Sequence, residues 1–204
     1  MTTIALLSDL LTLTAQAAPA AEAVCDIAKT KLRALVSDEG RVVNSRIEEH
    51  QTAAHGFAWV ATYVESLRHM QNWAEALQAS DRFGEVEQLI HQIAFGEYLC
   101  QLAGGIPMNQ GEIFRLQDIG LTFEDLAPLR AGAAAFLAAS GNTQAARLRL
   151  VTLMQEREAD TMLGASGLDE ELEMIREQFR RYAVEKIEPF AHDWHLKDEL
   201  IPME

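Results

Sequence analysis

The chain has 204 residues, with 17 basic and 31 acidic side chains, a formal net charge of −14, 49% hydrophobic residues and 7% aromatic ones. Such an apolar content excludes a disordered chain and provides for one large or two small folded units, while the acidic balance excludes a surface that grips nucleic-acid phosphates. No apolar run reaches the roughly 18 residues of a membrane-spanning helix, and Met1-Thr2-Thr3-Ile4 lacks the basic start of a secretory leader, so a cytoplasmic protein off the membrane is expected.

An apolar stretch to about Ala17 precedes a helix expected from Pro19, well suited to a first helical position, to Val36, with Gly40 as the stop. From Ile47 the apolar positions Ala54, Phe57, Val60, Val64, Leu67, Met70, Ala74 and Leu77 recur mostly every three or four residues, and His50 fills the one gap. This spacing predicts a single long helix over 41–79 with an apolar seam. Over 84–103, by contrast, Val86, Leu89, Ile90, Ile93, Phe95, Leu99, Cys100 and Leu102 surround the axis, as on a helix at the centre of a bundle. Cys25 and Cys100 read as buried, reduced thiols.

Gly104-Gly105 and Gly111 bound an irregular loop. Thr122-Phe123-Glu124-Asp125 has the capping-box pattern and predicts a helix start. The alanine-rich segment 131–139 predicts a thin helix that packs closely, Gly141-Asn142 breaks it, and a further helix is expected to about Asp160. The class is therefore all-α, a helical bundle with no sheet. Gly164-Ala165-Ser166-Gly167 reads as a linker after an extension over 1–163, and Ser166-Gly167-Leu168-Asp169 as a second capping box. Beyond it Leu172, Ile175, Phe179 and Tyr182 form an apolar stripe that needs a partner surface.

The order of features over 168–204 carries a resemblance. Acidic Asp169-Glu170-Glu171 precede a helix with Phe179-Arg180-Arg181-Tyr182-Ala183, then Ile187-Glu188-Pro189, His192-Asp193-Trp194-His195 and Leu200-Ile201-Pro202. This segment resembles the start of the N-terminal helical domain of acyl-CoA dehydrogenases, and the 46–77 and 86–103 helices ending at Gly104-Gly105 are similar to the last helices of that family's C-terminal bundle. The resemblance implies the N-terminal portion of an FAD-dependent oxidoreductase acting on a CH–CH pair of a branched dicarboxylic acyl-CoA. It also implies a homo-oligomer with electron-transfer flavoprotein as redox partner. In that family the flavin contacts and the catalytic glutamate come from a middle β-domain and the C-terminal bundle. The β-domain has no counterpart in this sequence, so the segment is expected to be a helical scaffold without an active site, and no catalytic, cofactor-binding or metal residue is assigned. A self-contained helical interaction module without catalysis is the alternative.

The chemically suggestive residues have plainer readings. Glu48, Glu49, His50 and His55 lack the Glu-x-x-His pairs of a di-metal bundle, so His50 is expected as a core histidine flanked by solvated acids. Glu97, tempting as a base, lies among apolar neighbours and calls for a structural partner such as Arg68, His69 or Arg115. His192 and His195 have no further ligands nearby for zinc. Gly104, Gly105 and Gly111 lack the lysine and preceding strand of a phosphate loop.

Overall fold

A computed structural model describes residues 5–156 and 164–201. The chain divides into two compact units, Met1–Ala165 and Ser166–Glu204. The described residues are mostly helical, with eight α-helices and two small two-stranded sheets, and the helices of the first unit form a bundle.

In the first unit, α1 (Leu10–Val36) is one helix rather than a stretch followed by a helix, and Pro19 lies inside it. Proline removes one helical hydrogen bond at a cost of about 3 kcal/mol. Ala15 and Pro19 are both on the exposed side, where water serves the freed carbonyl, while Ala17, Ala18, Ala21 and Val24 bury the opposite face. A short hairpin of β1 (Ser37–Asp38) and β2 (Arg41–Val42) follows, turning at Glu39-Gly40 with φ of 45° and 79°. The expected 41–79 helix is divided: α2 (Asn44–Glu49) and α3 (Gln51–Ala79) meet at His50, where φ is −112° and ψ is 34°. Nothing in α2 is buried, so no packing holds it to the axis of α3. Along α3 the seam is as the periodicity predicts, with Val60, Val64, Leu67, Ala74 and Leu77 buried.

Helix α4 (Glu85–Gly104) is central, packing on α1, α3, α5 (Gly132–Ser140) and α6 (Gln144–Glu156). Leu89, Phe95 and Leu99 are wholly buried. After Gly105, whose φ is 135°, β3 (Ile106–Pro107) and β4 (Ile113–Phe114) pair antiparallel in register Ile106 with Phe114. These two short pairs are the sheet that the sequence did not announce. The β4 strand delivers Phe114 onto α3 at Gly56, where an added Cβ would lie 2.1 Å from the ring.

The Thr122 motif forms its reciprocal bonds: the Thr122 amide donates to Asp125 (2.7 Å) and the Asp125 amide to Thr122 Oγ1 (3.2 Å). They close a turn rather than start an α-helix, because the chain passes into a 3₁₀ turn over 127–130 with Pro128 in it and turns extended at Ala131. The chain approaches α4 closely at the break after α5, opposite Gly96. A Cβ there would stand 2.5 Å from the backbone nitrogen of Asn142 and 2.8 Å from Gly141. Helix α6 is described as far as Glu156, and its expected continuation to Asp160 lies outside the described residues.

The second unit holds α7 (Glu170–Lys186) and α8 (Glu188–Lys197). The cap of α7 is Asp169, which accepts from the Leu172 amide at 2.9 Å, and not Ser166. Ser166 accepts from Leu168 and donates to Glu173 instead. No described residue of α7 or α8 is buried. Phe179, at 72% exposure, leads an open apolar stripe with Leu172, Ile175 and Tyr182.

Candidate functional site

The chemistry of the first unit concentrates on α4. That helix is apolar nearly all round in sequence, yet Glu87, His91 and Gln92 are buried along it, and each reaches a distant part of the chain. Gln92 satisfies its whole amide: Oε1 accepts from the Leu7 N–H (2.7 Å), and Nε2 donates to the carbonyls of Ala5 (3.0 Å) and Gly141 (3.0 Å). It thereby ties the incoming N-terminal segment and the break before α6 to one side chain. Buried polar groups are stable when every partner is supplied, as here.

His91 is fully buried, with Nε2 3.0 Å from Thr14 Oγ1 on α1. The Thr14 hydroxyl sits 3.0 Å from the Leu10 carbonyl and 3.2 Å from that of Leu11. Its single hydrogen points to those carbonyls, so the oxygen accepts from the ring, which fixes the Nε2–H tautomer. The ring is packed against Phe95 at 4.7 Å, Phe83 at 5.8 Å and Trp73 at 6.4 Å between centroids. Nδ1 has no partner. Burial without a counter-charge pushes the imidazole pKa down from 6.5 to about 4, so the group is neutral at physiological pH.

Glu87 Oε1 accepts from the Ala165 N–H at 2.8 Å, and the Trp73 indole donates to the Ala165 carbonyl at 3.1 Å. Glu97, further along α4, accepts from Gln101 and from Asn142 Nδ2 at 2.6 Å. Its partners are amides, not the Arg68, His69 or Arg115 that the sequence suggested. Arg68 and His69, three and four residues along α3, both turn to Glu65, which holds the Glu65 carboxyl below its usual range.

The other suggestive residues are not assembled. Glu48 and Glu49 are exposed, and His50 is half-buried rather than in the core; exposed His55 accepts from the Trp59 indole at 3.2 Å. Among the described residues no group of three or more His, Cys, Asp or Glu is placed to hold a metal ion. His192 and His195 lie exposed on α8. Cys100 is exposed, not buried; Cys25 is half-buried, and that burial pushes its thiol pKa up. No described helix is long and apolar enough to cross a membrane. The residues that sequence reasoning missed are Glu87, His91 and Gln92. The available signal was polar side chains interrupting an apolar run at positions that its neighbours Leu89, Ile90 and Ile93 should have marked as interior.

Comparison with known proteins now bears on this fold. Over 199 residues the chain is 54% identical to the (2S)-methylsuccinyl-CoA dehydrogenase of Cereibacter sphaeroides, a match covering 98% of this chain. The chain matches the N-terminal part of that dehydrogenase. It spans only 36% of the dehydrogenase's length. No family model matches the chain.

Proposed function

We propose that this chain is the N-terminal portion of an FAD-dependent acyl-CoA dehydrogenase that oxidises a branched dicarboxylic acyl-CoA of the methylsuccinyl-CoA kind. The observation that carries this reading is the 54% identity along 98% of the chain. The reaction takes a CH–CH pair to a double bond and passes two electrons to the flavin and on to an electron-transfer flavoprotein. In this reading the protein works in the cytoplasm as a homo-oligomer, and residues 1–163 are a helical extension joined through 164–167 to the beginning of the dehydrogenase body.

The groove between α3 and α4 does not suit a flavin. Its volume is about 610 Å³, and it is lined by Thr62, Glu65, Ser66, His69, Met70, Trp73, Ala94 and Tyr98, with His69 turned to the Glu65 carboxylate at 3.1 Å. The Thr62 and Ser66 hydroxyls donate to the Ala58 and Thr62 carbonyls of their own helix, at 2.8 and 2.7 Å, and a carboxylate stands at the rim. A diphosphate requires free donors or cations at such a place. In this reading the extension is therefore a scaffold, and the flavin, the acyl-CoA and the catalytic base are held by residues of the longer polypeptide.

Two proteins test the reading: this 204-residue chain and the same chain with the coding sequence that follows it. The longer one should purify yellow and reduce an acceptor dye with methylsuccinyl-CoA, and the shorter one should be colourless and inactive. Stoichiometric flavin on the short chain would overturn the scaffold role. A flavin-loaded longer protein inert towards branched dicarboxylic acyl-CoAs would overturn the substrate class.

A further inference from the structure

We propose that Trp73 and Glu87 form a latch that recognises the backbone of Ala165 and fixes the point at which the chain leaves the first unit. The two side chains come from different helices and read the two polar groups of one residue. Glu87 Oε1 takes the Ala165 N–H at 2.8 Å, and the Trp73 indole N–H takes its carbonyl at 3.1 Å. Glu87 is only 6% exposed. A carboxylate in so covered a place is costly unless something engages it, and the Ala165 amide is its hydrogen-bond partner. Its place in the first turn of α4 suits a negative charge, since the helix dipole is positive there.

The chain is shaped to meet this pair. Gly164 adopts φ of 85°, which side-chain-bearing residues rarely take up. A Cβ at position 164 would approach Glu87 Oε1 to 3.2 Å, with Ile90 and Val86 at 3.6 Å. The turn therefore seats Ala165 against α4 in a backbone conformation and at a closeness that favour glycine at position 164. Trp73 is itself held in place, edge-on to Phe83 at 6.2 Å and tilted over His91 at 6.4 Å. Aromatic packing thus positions Trp73 independently of its bond to Ala165. Because recognition is through the backbone, it does not depend on the methyl side chain of residue 165. The latch goes beyond the proposed activity and does not depend on it.

Amide hydrogen exchange on the full 204-residue chain tests the latch, with Ala165 as reporter and Leu99, in the core of α4, as control. In the parent, the Ala165 amide should exchange at least tenfold more slowly than an open peptide, on the order expected for one engaged hydrogen bond. Trp73→Phe keeps the ring packing and removes the N–H; Glu87→Ala removes the acceptor; Gly164→Ala strains the turn. Each should speed Ala165 exchange by roughly tenfold with Leu99 unchanged, and Glu87→Gln, which retains an acceptor oxygen, should restore part of the protection. An Ala165 amide that exchanges at the open-peptide rate in the parent overturns the proposal. So does an Ala165 rate unmoved in Trp73→Phe. Should Glu87→Ala also expose Leu99 and so report global loss of structure, the Trp73→Phe result decides.

Discussion

Acidification should destabilise the first unit through His91. The ring nitrogen that would take the proton, Nδ1, faces no acceptor, and its surroundings are the rings of Phe95, Phe83 and Trp73. In the unfolded chain this imidazole titrates at its ordinary value of 6.5, whereas in the fold it does so at about 4. Between these values the unfolded state binds a proton that the folded state refuses, so stability falls as pH falls. The contribution is present in full above about pH 6.5, declines down to about pH 4, and is flat below, where both states are protonated. Linkage gives a loss of about 2 kcal/mol between about pH 7 and pH 5, and about 3 kcal/mol over the whole window. Urea unfolding of a chain in which Trp73 is the sole tryptophan, Trp59 and Trp194 being replaced by Phe, would follow this unit from inside the aromatic cluster. The reference is His91→Gln, whose amide still donates to Thr14 and does not titrate. Subtracting the two pH profiles cancels the other histidines and the carboxylates. Parallel profiles for parent and His91→Gln between pH 7 and pH 5 would refute the reasoning, and would mean that His91 meets water or a counter-charge in solution.

Gly96→Ala places a methyl group against the backbone of Gly141 and Asn142, which cannot rotate away; a loss of about 1–3 kcal/mol is expected in chemical denaturation. Leu99→Ala empties a fully buried site at the centre of the bundle and should cost about 2–5 kcal/mol, read as a fall in Tm. Glu85 and Arg149 join α4 to α6 through two bonds of 2.7 Å at a partly exposed site; Glu85→Gln should cost less than about 1 kcal/mol, and the small effect should fade further in high salt. Phe179→Ser removes the most exposed ring of the α7 stripe and should leave the Tm of the first unit unchanged while lowering the sedimentation-derived tendency of the chain to self-associate.

The helical period was legible because it is local. Val60, Val64, Leu67, Ala74 and Leu77 lie on one stripe whatever the rest of the chain does, and all are buried. Apolar residues all round 84–103 likewise announced a central helix, since only a helix covered on several sides can afford that composition. The N-terminal match to the dehydrogenase also follows from residue order alone. Tertiary packing decided the rest. Pro19 was tolerated inside α1 because its side of the helix faces water while Ala17 and Ala21 are covered. The Thr122 motif closed a turn because Pro128 and extended Ala131 redirect the chain. Cys100 and His50 changed burial because an apolar neighbourhood in sequence does not say which side of a helix is covered. The polar row on α4 is the clearest case. Glu87, His91 and Gln92 look like solvent-facing residues in a list of amino acids. They are interior because Ala165, Thr14, Ala5, Leu7 and Gly141, from 49 to 87 positions away, bring the matching donors and acceptors. A hydrogen-bond partner that far along the chain leaves no mark in the local pattern, and burial of a polar group becomes stable only once the fold has delivered it.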